Sequence, residues 1–237
     1  MAAPQMVACG SAALAGPGDG RYSAPVTFRY LAIEGPPGVG KSVLADRLAT
    51  RLDATTVLDD AENPFLADAH AGRVGAAFQA QLFSLLARHR QQGALRQGDL
   101  FAQVTVADYL FDRDKIYAYV TLDDNELFVY QRLYDLLARD VPPPDAGIHL
   151  QVPADTLWKR LRHRMREAGE PLSVDEATLR EIADAYNHFF FHYSATPLLV
   201  VETSHLDLSW PDVAVDEVLH QLQDMPGGTR YVVPRTA

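Results

Sequence analysis

Eight consecutive residues constrain this chain more than any others. Gly35-Pro36-Pro37-Gly38-Val39-Gly40-Lys41-Ser42 follows the apolar, β-forming run Phe28–Glu34. It opens a stretch, Val39–Leu52, in which Val43, Leu44, Leu48 and Leu52 recur at helical spacing. A glycine-rich loop ending in Lys-Ser between a buried strand and a helix fits G-x-x-x-x-G-K-[ST] in the context that motif requires. The glycines let backbone N–H groups turn inward around phosphate oxygens, and the helix N-terminus adds partial positive charge. Lys41 can then bridge the β- and γ-phosphates of a nucleotide, and the Ser42 hydroxyl can ligate Mg²⁺. The alternative is a glycine-rich turn with no ligand.

The rest of the chain repeats the strand-then-helix rhythm. Strands are expected at Phe28–Glu34, Thr55–Leu58, Phe101–Ala107, Gly147–Val152 and Leu198–Val201. Helices are expected at Val39–Leu52, Ala76–Gln92, Asn125–Ala138, Ala154–Arg166, Val174–His192 and Pro211–Leu222. Such alternation predicts an α/β fold with a five-stranded parallel sheet covered on both faces. Ligands of such sheets bind beyond the carboxyl ends of the strands. Residues 1–26 are Ala-, Gly- and Pro-rich without apolar period and read as a disordered leader, leaving one domain over 27–237. Pro226-Gly227-Gly228 breaks the last helix, and Tyr231-Val232-Val233 is either an edge segment or tail.

Composition removes several function classes. Lys and Arg number 21 against 31 Asp and Glu, a net charge of −10, so the basic footprint of a duplex nucleic-acid binder is missing. Cys9 is the single cysteine, which excludes an internal disulfide and suits a reducing, cytoplasmic location. No apolar run approaches the roughly 18–20 residues of a membrane span.

Acids stand at two other strand ends. Asp59-Asp60-Ala61-Glu62 closes the second strand, and a carboxylate there can take the proton of an acceptor hydroxyl as it attacks a γ-phosphate. The same acids can equally be turn and cap residues ahead of Asn63-Pro64. Asp108 closes the third strand, where a Mg²⁺-site or water-holding acid is expected. Arg160, Arg162, Arg164 and Arg166 crowd one helix end before Gly169 and Pro171. Guanidinium groups there can fork onto phosphoryl oxygens, as an arginine-bearing lid that also excludes water.

Five segments taken in order resemble the deoxynucleoside kinases, in particular their bacterial deoxyadenosine/deoxyguanosine kinase branch. They are Ile33 to Ser42, Glu62-Asn63-Pro64-Phe65-Leu66, Phe78-Gln79-Ala80-Gln81-Leu82, Ala107-Asp108-Tyr109-Leu110-Phe111 and Tyr186-Asn187-His188-Phe189-Phe190. The resemblance runs from about Tyr30 to Gly228-Thr229-Arg230-Tyr231. It implies a P-loop kinase fold and transfer of the ATP γ-phosphoryl to the 5′-hydroxyl of a 2′-deoxynucleoside, purine-preferring, in nucleotide salvage, with Mg²⁺. It implies Asp59 as base with Asp60 in reserve, and Lys41, Arg164 and Arg166 as catalytic groups. Arg160 would join the phosphate loop in holding ATP, and Ser42 and Asp108 would hold the metal. The nucleoside would be held by Gln81, Arg88 and Asp114, by His70 where many members have a tyrosine, and by Glu170. Asp207 falls where the family holds the adenine of ATP.

The chain also departs from the family pattern. Asp108-Tyr109-Leu110 lacks the arginine that many members carry after this acid, and Arg113 is the candidate to replace it. A homodimer is implied, with the Ala76–Gln92 and Asn125–Ala138 helices as contact surfaces. Two other readings stay open at this point. Arg88 and Arg90 could serve a nucleoside monophosphate acceptor, and the departures could mark a regulatory nucleotide-binding module without transfer chemistry.

Overall fold

The computed structural model describes residues 28–59, 62–97, 104–169, 174–206 and 208–235. The leader therefore lies outside the described residues. The chain runs β1 (Tyr30–Glu34), α1 (Lys41–Leu52), β2 (Thr55–Val57), α2 (Leu66–His70), α3 (Ala76–Gln97) and β3 (Thr105–Ala107). It continues through α4 (Arg113–Thr121), α5 (Asp124–Leu137), β4 (Ala146–Gln151), α6 (Ala154–Ala168), α7 (Glu176–Phe191), β5 (Leu198–Glu202), α8 (Asp212–Gln223) and β6 (Thr229–Val232).

All strands are parallel, in the order β2-β3-β1-β4-β5-β6. The sheet thus has six strands where the sequence predicted five. The sixth is the Tyr231 segment, which the sequence leaves open between edge segment and tail because its residues alternate between exposed and only half-buried. Gly227 (φ 131°) and Gly228 (φ 71°) take left-handed turns that let the chain reverse after α8. Leu198 N–H then donates to Gly228 O at 2.8 Å, and β6 pairs with β5 from Leu198↔Thr229 onward. Arg230 fixes the strand by donating to the carbonyls of Gln221 and Asp224 at the end of α8. Helix α4 was not expected either. Its inward residues, Ile116, Tyr117 and Val120, make a weak period, and it forms because they pack on Tyr186 and Phe190 of α7.

The period-two alternation of the strands decides which face each side chain joins. Leu31 and Ile33 of β1, Ile148 and Leu150 of β4, and Leu199 and Val201 of β5 face α1, α6 and α8 in the largest apolar cluster. Ala32, Leu198 and Val200 face α4 and α7. Glu34 and His149 have that second parity, so both side chains enter the α4/α7 layer although each is almost fully buried. The His149 ring stacks on Phe190 at 4.1 Å between centroids, and neither ring nitrogen finds a partner among the described residues.

Burial pushes the His149 imidazole down to about 4. In the unfolded chain it titrates near its ordinary value of ~6.5. The unfolded state therefore binds the extra proton first, and stability falls as pH drops through that window. The expected loss from this group is about 2 kcal/mol between pH 7 and pH 5. Urea unfolding of the protein and of His149→Phe at both pH values measures it. The variant should lose less stability than the parent by about that amount, and equal losses would exclude a neutral buried imidazole.

Candidate active site

The strand order places the carboxyl ends of β2, β3 and β1 side by side, and each ends in a chemical group identified from the sequence. The chain leaves β1 for one side of the sheet and later returns to the other at β4, so a crevice opens beyond β1. The phosphate loop fills it. Gly38 (φ 84°) and Gly40 (φ 102°) adopt left-handed conformations that carry the chain from strand to helix. A side chain at Gly40 would also stand 3.1 Å from Trp210 Nε1 and from Leu208 Cδ2. Leu157 and Leu161 of α6 pack against Gly38 on the other side. Lys41 folds back over the loop and donates from Nζ to Gly35 O at 2.8 Å. Burial, with the Arg113 charge adding to it, pushes its amine down to about 8. The nearby Glu34, Asp108 and Asp59 carboxylates oppose that shift.

Ser42 Oγ donates to Asp108 Oδ2 at 2.5 Å, and Asp108 Oδ1 accepts from the Asp59 backbone N–H at 2.8 Å. Among the described residues no group of three or more His, Cys, Asp or Glu could hold a metal alone. Mg²⁺ in phosphate sites takes only one or two protein oxygens, the rest coming from phosphate and water. The hard oxygens of Ser42 and Asp108 at the mouth of the loop fit that donor set.

Beside them is a buried charge cluster. Asp59 accepts from Arg88 Nη2 at 2.9 and 3.0 Å and is paired with Arg113 Nη1. Arg88 is paired through Nη1 with Asp114, whose side chain is only 2% exposed. Burial alone would raise the Asp59 carboxyl, but the Arg113 and Arg88 guanidinium groups outweigh it and hold the acid below the usual carboxylate range. Tyr109, which stands where many family members have an arginine, lies with its ring 5.7 Å from the Arg88 guanidinium, and its hydroxyl is taken up by α3. Its hydroxyl donates to Gln91 Oε1 at 2.7 Å and accepts from Gln92 Nε2 at 3.1 Å.

Helix α3 supplies the far wall. Gln81 lies two turns before Arg88 and donates to Thr121 Oγ1 at 3.3 Å. Asn63 of the Asn-Pro-Phe motif donates to Ala80 O and Ser84 Oγ and accepts from Phe65 N–H, which fastens the segment after β2 to α3. Gln91 does the same one element earlier, donating to Leu58 O at 2.9 Å.

The remaining expected residues are placed less centrally. His70 ends α2 in solvent. Arg160 donates to the carbonyls of Thr203 (2.6 Å) and Leu206 (2.9 Å), so its fork holds the β5–α8 loop rather than facing the phosphate loop. Arg164 and Arg166 are exposed at the end of α6. At ~100° per residue, Arg164 is roughly 60° from the Leu161 face that meets the phosphate loop and Arg166 roughly 140°. Asp60, Glu170 and Asp207 lie outside the described residues.

Sequence reasoning passed over Glu34. Its carboxylate accepts from the N–H groups of Gly35 and Leu110 at 2.9 Å each and from the Tyr186 hydroxyl at 3.0 Å. It thereby ties the phosphate loop to the segment carrying Asp108 and to α7. The signal was available: an acid as the last residue of an otherwise apolar strand, just before the first loop glycine. Breaking one partner of a buried ion pair leaves an uncompensated charge. Asp114→Ala should therefore lower stability by about 3–5 kcal/mol in urea unfolding. A loss under about 1 kcal/mol, the range of exposed pairs, would mean the cluster is effectively solvated.

Comparison with known proteins agrees with this geometry. The deoxynucleoside kinase family profile matches residues 31–225. Deoxyguanosine kinase of Bacillus subtilis is 29% identical over 168 residues, 68% of this chain and 77% of the relative. The deoxyadenosine/deoxycytidine kinase of the same organism is 23% identical over 201 residues, 81% and 90% of the two chains. Deoxyadenosine kinase from M. mycoides, solved with bound dATP, superposes with a TM-score of 0.68 at 22% identity, over 83% of this chain and all of that one. With the family profile spanning most of its length, the chain belongs to the deoxynucleoside kinase family and is a phosphotransferase acting on deoxynucleosides.

Proposed function

We propose that the protein transfers the γ-phosphoryl of ATP to the 5′-hydroxyl of a purine 2′-deoxynucleoside, with Asp59 as the base. The observation that carries this reading is the adjacency of two half-sites. Lys41 and the Ser42–Asp108 pair stand at the ends of β1 and β3, and Asp59 with Arg88 and Asp114 stands at the end of β2 and on α3 and α4. The first half suits a polyphosphate and the second a neutral acceptor with hydrogen-bonding edges. Purine preference is supported by the names of relatives, one a deoxyguanosine kinase and one a deoxyadenosine kinase.

The residues divide the work. The loop backbone and Lys41 hold the phosphates, and the depressed amine gains its proton most readily when an anion sits against it. Ser42 and Asp108 are placed to hold Mg²⁺, which when bound neutralises phosphate charge. Asp59 accepts the proton of the acceptor hydroxyl, and its low proton affinity keeps it ionised and ready at neutral pH. Gln81 offers a donor and an acceptor to a base edge. Arg164, on the loop-facing side of α6, is the lid arginine best placed to reach the donor, and the donor base would lie by the β5–α8 loop that Arg160 fixes.

Arg88, one of the two cations that could serve a monophosphate acceptor, is taken up by Asp59 and Asp114, which favours an uncharged acceptor. Helix α5 leaves Phe128, Val129 and Leu136 more than half exposed, and a second copy of the chain paired about a two-fold axis would cover them. No described helix is long and apolar enough to cross a membrane. With a single cysteine and a need for ATP, we place the reaction in the cytoplasm.

Asp59→Asn should lower turnover about 10²–10⁴-fold while ATP still binds with near parental affinity. Coupled ADP release with deoxyadenosine, beside an equilibrium ATP titration, measures both. Full turnover by Asp59→Asn and its loss in Asp60→Asn would move the base to the neighbouring acid.

A further inference from the structure

Two guanidinium groups share the Asp59 carboxylate, and they are not equivalent. Arg88 is bound on its other side to the buried Asp114 and lies 5.7 Å from the centre of the Tyr109 ring. Its charge is matched within the protein fold. Arg113, on the first turn of α4, has Asp59 as its carboxylate partner and rests on the Tyr117 ring at 5.4 Å. The Nε atoms of both arginines are buried without a hydrogen-bond partner among the described residues, so the difference lies in the carboxylates: Arg88 has two and Arg113, 15% exposed, has one.

The Asp59 that Arg113 pairs with is joined through Asp108 to Ser42, the residue after Lys41, since the Asp59 N–H donates to Asp108 Oδ1 and Ser42 Oγ donates to Asp108 Oδ2. Two cations from different elements, the first turn of α4 and the start of α1, thus converge on one small region between Asp59 and the phosphate loop. Like charges held together in a largely buried place repel unless an anion lies between them. Glu34, whose charge acts on both cations, and Asp59, which is paired with Arg113, supply that negative charge.

We propose that Arg113 is a catalytic residue that passes from Asp59 to the transferred phosphoryl group during the reaction. This inference rests on the kinase reading given above. In the step, the acceptor oxygen forms its bond to the γ-phosphorus and gives its proton to Asp59. The bond from the γ-phosphorus to the bridging oxygen breaks, and its electron pair leaves with ADP. Asp59 becomes neutral as the proton arrives, so Arg113 loses its anionic partner at the moment charge spreads over the phosphoryl oxygens. The same guanidinium can then fork onto those oxygens opposite Lys41. Arg88 cannot make this move without abandoning Asp114, and Tyr109 faces the interior.

The test compares the full-length protein with Arg113→Gln and Arg113→Lys, using MgATP and deoxyadenosine, with and without millimolar guanidinium chloride. For Arg113→Gln, kcat should fall about 10²–10³-fold while KM for each substrate stays within a few-fold. Added guanidinium should restore part of kcat saturably, and an equal concentration of sodium chloride should not. A merely structural arginine would give no such rescue. Retained kcat, or a loss confined to KM with no response to guanidinium, would overturn the proposal. If Arg113→Gln does not fold by circular dichroism, Arg113→Lys decides. It keeps a cation but not the fork, so kcat should fall roughly tenfold with KM held, and parental kcat would overturn the assignment. Absence of nucleotide product from the parent protein would instead refute the kinase reading, a result distinct from failure of Arg113 alone.

Discussion

Everything at this site depends on a carboxylate held between two arginines in a place with little water. Asp59 accepts from Arg88 and Arg113, and Arg88 is balanced in turn by Asp114. Charges removed from water are tolerated only when paired and hydrogen bonded. The pairing therefore fixes more than a base. It binds the end of β2 to α3 through Arg88, and to α4 through Arg113 and Asp114. Gln91, donating to Leu58 O, and Gln81, donating to Thr121 Oγ1, add further ties from α3 to the end of β2 and to α4. The same arrangement makes Asp59 a weakly basic anion, suited to receiving a proton only while the reaction is under way.

A second constraint sits one strand away. Glu34 has no freedom of its own, yet it sets the relation between the phosphate loop, the Asp108 segment and α7. Its position follows from strand parity, since Leu31 and Ile33 face one layer and Ala32 and Glu34 the other. On the opposite side, Trp210 fills the space beside Gly40, and Arg47 anchors that loop by donating to the Trp210 carbonyl at 2.8 and 3.0 Å. The loop is thus wedged between two buried supports, which lets its backbone hold one shape before any phosphate arrives.

The sequence made the sheet and the loop legible because both have local signals. Central strands read as short apolar runs, and Gly-Lys-Ser between strand and helix is a contiguous motif. Strand β6 and helix α4 were hidden for a different reason. Thr229–Val232 is half polar because it lies at the sheet edge, and α4 gains its stability from α7 rather than from its own period. The site was legible only in part. Asp59, Lys41, Ser42, Asp108, Arg88 and Asp114 are brought together as the motifs suggested. Arg160 was read from charge alone, and charge does not tell a phosphate ligand from a guanidinium that satisfies loop carbonyls. The Arg113–Asp59 pair could not be read, since it joins residues 54 positions apart in sequence.

The most direct test of the account is to identify its product. Purified protein with MgATP and each of the four common 2′-deoxynucleosides, beside a control lacking acceptor, is analysed for nucleoside monophosphates and for the carbon that bears the new phosphate. The expected products are 5′-monophosphates of deoxyadenosine or deoxyguanosine in excess of the pyrimidine products, with little ADP in the control. ATP binding without any acceptor-dependent product would contradict it, and would leave the Asp59 cluster a structural feature of a nucleotide-binding protein.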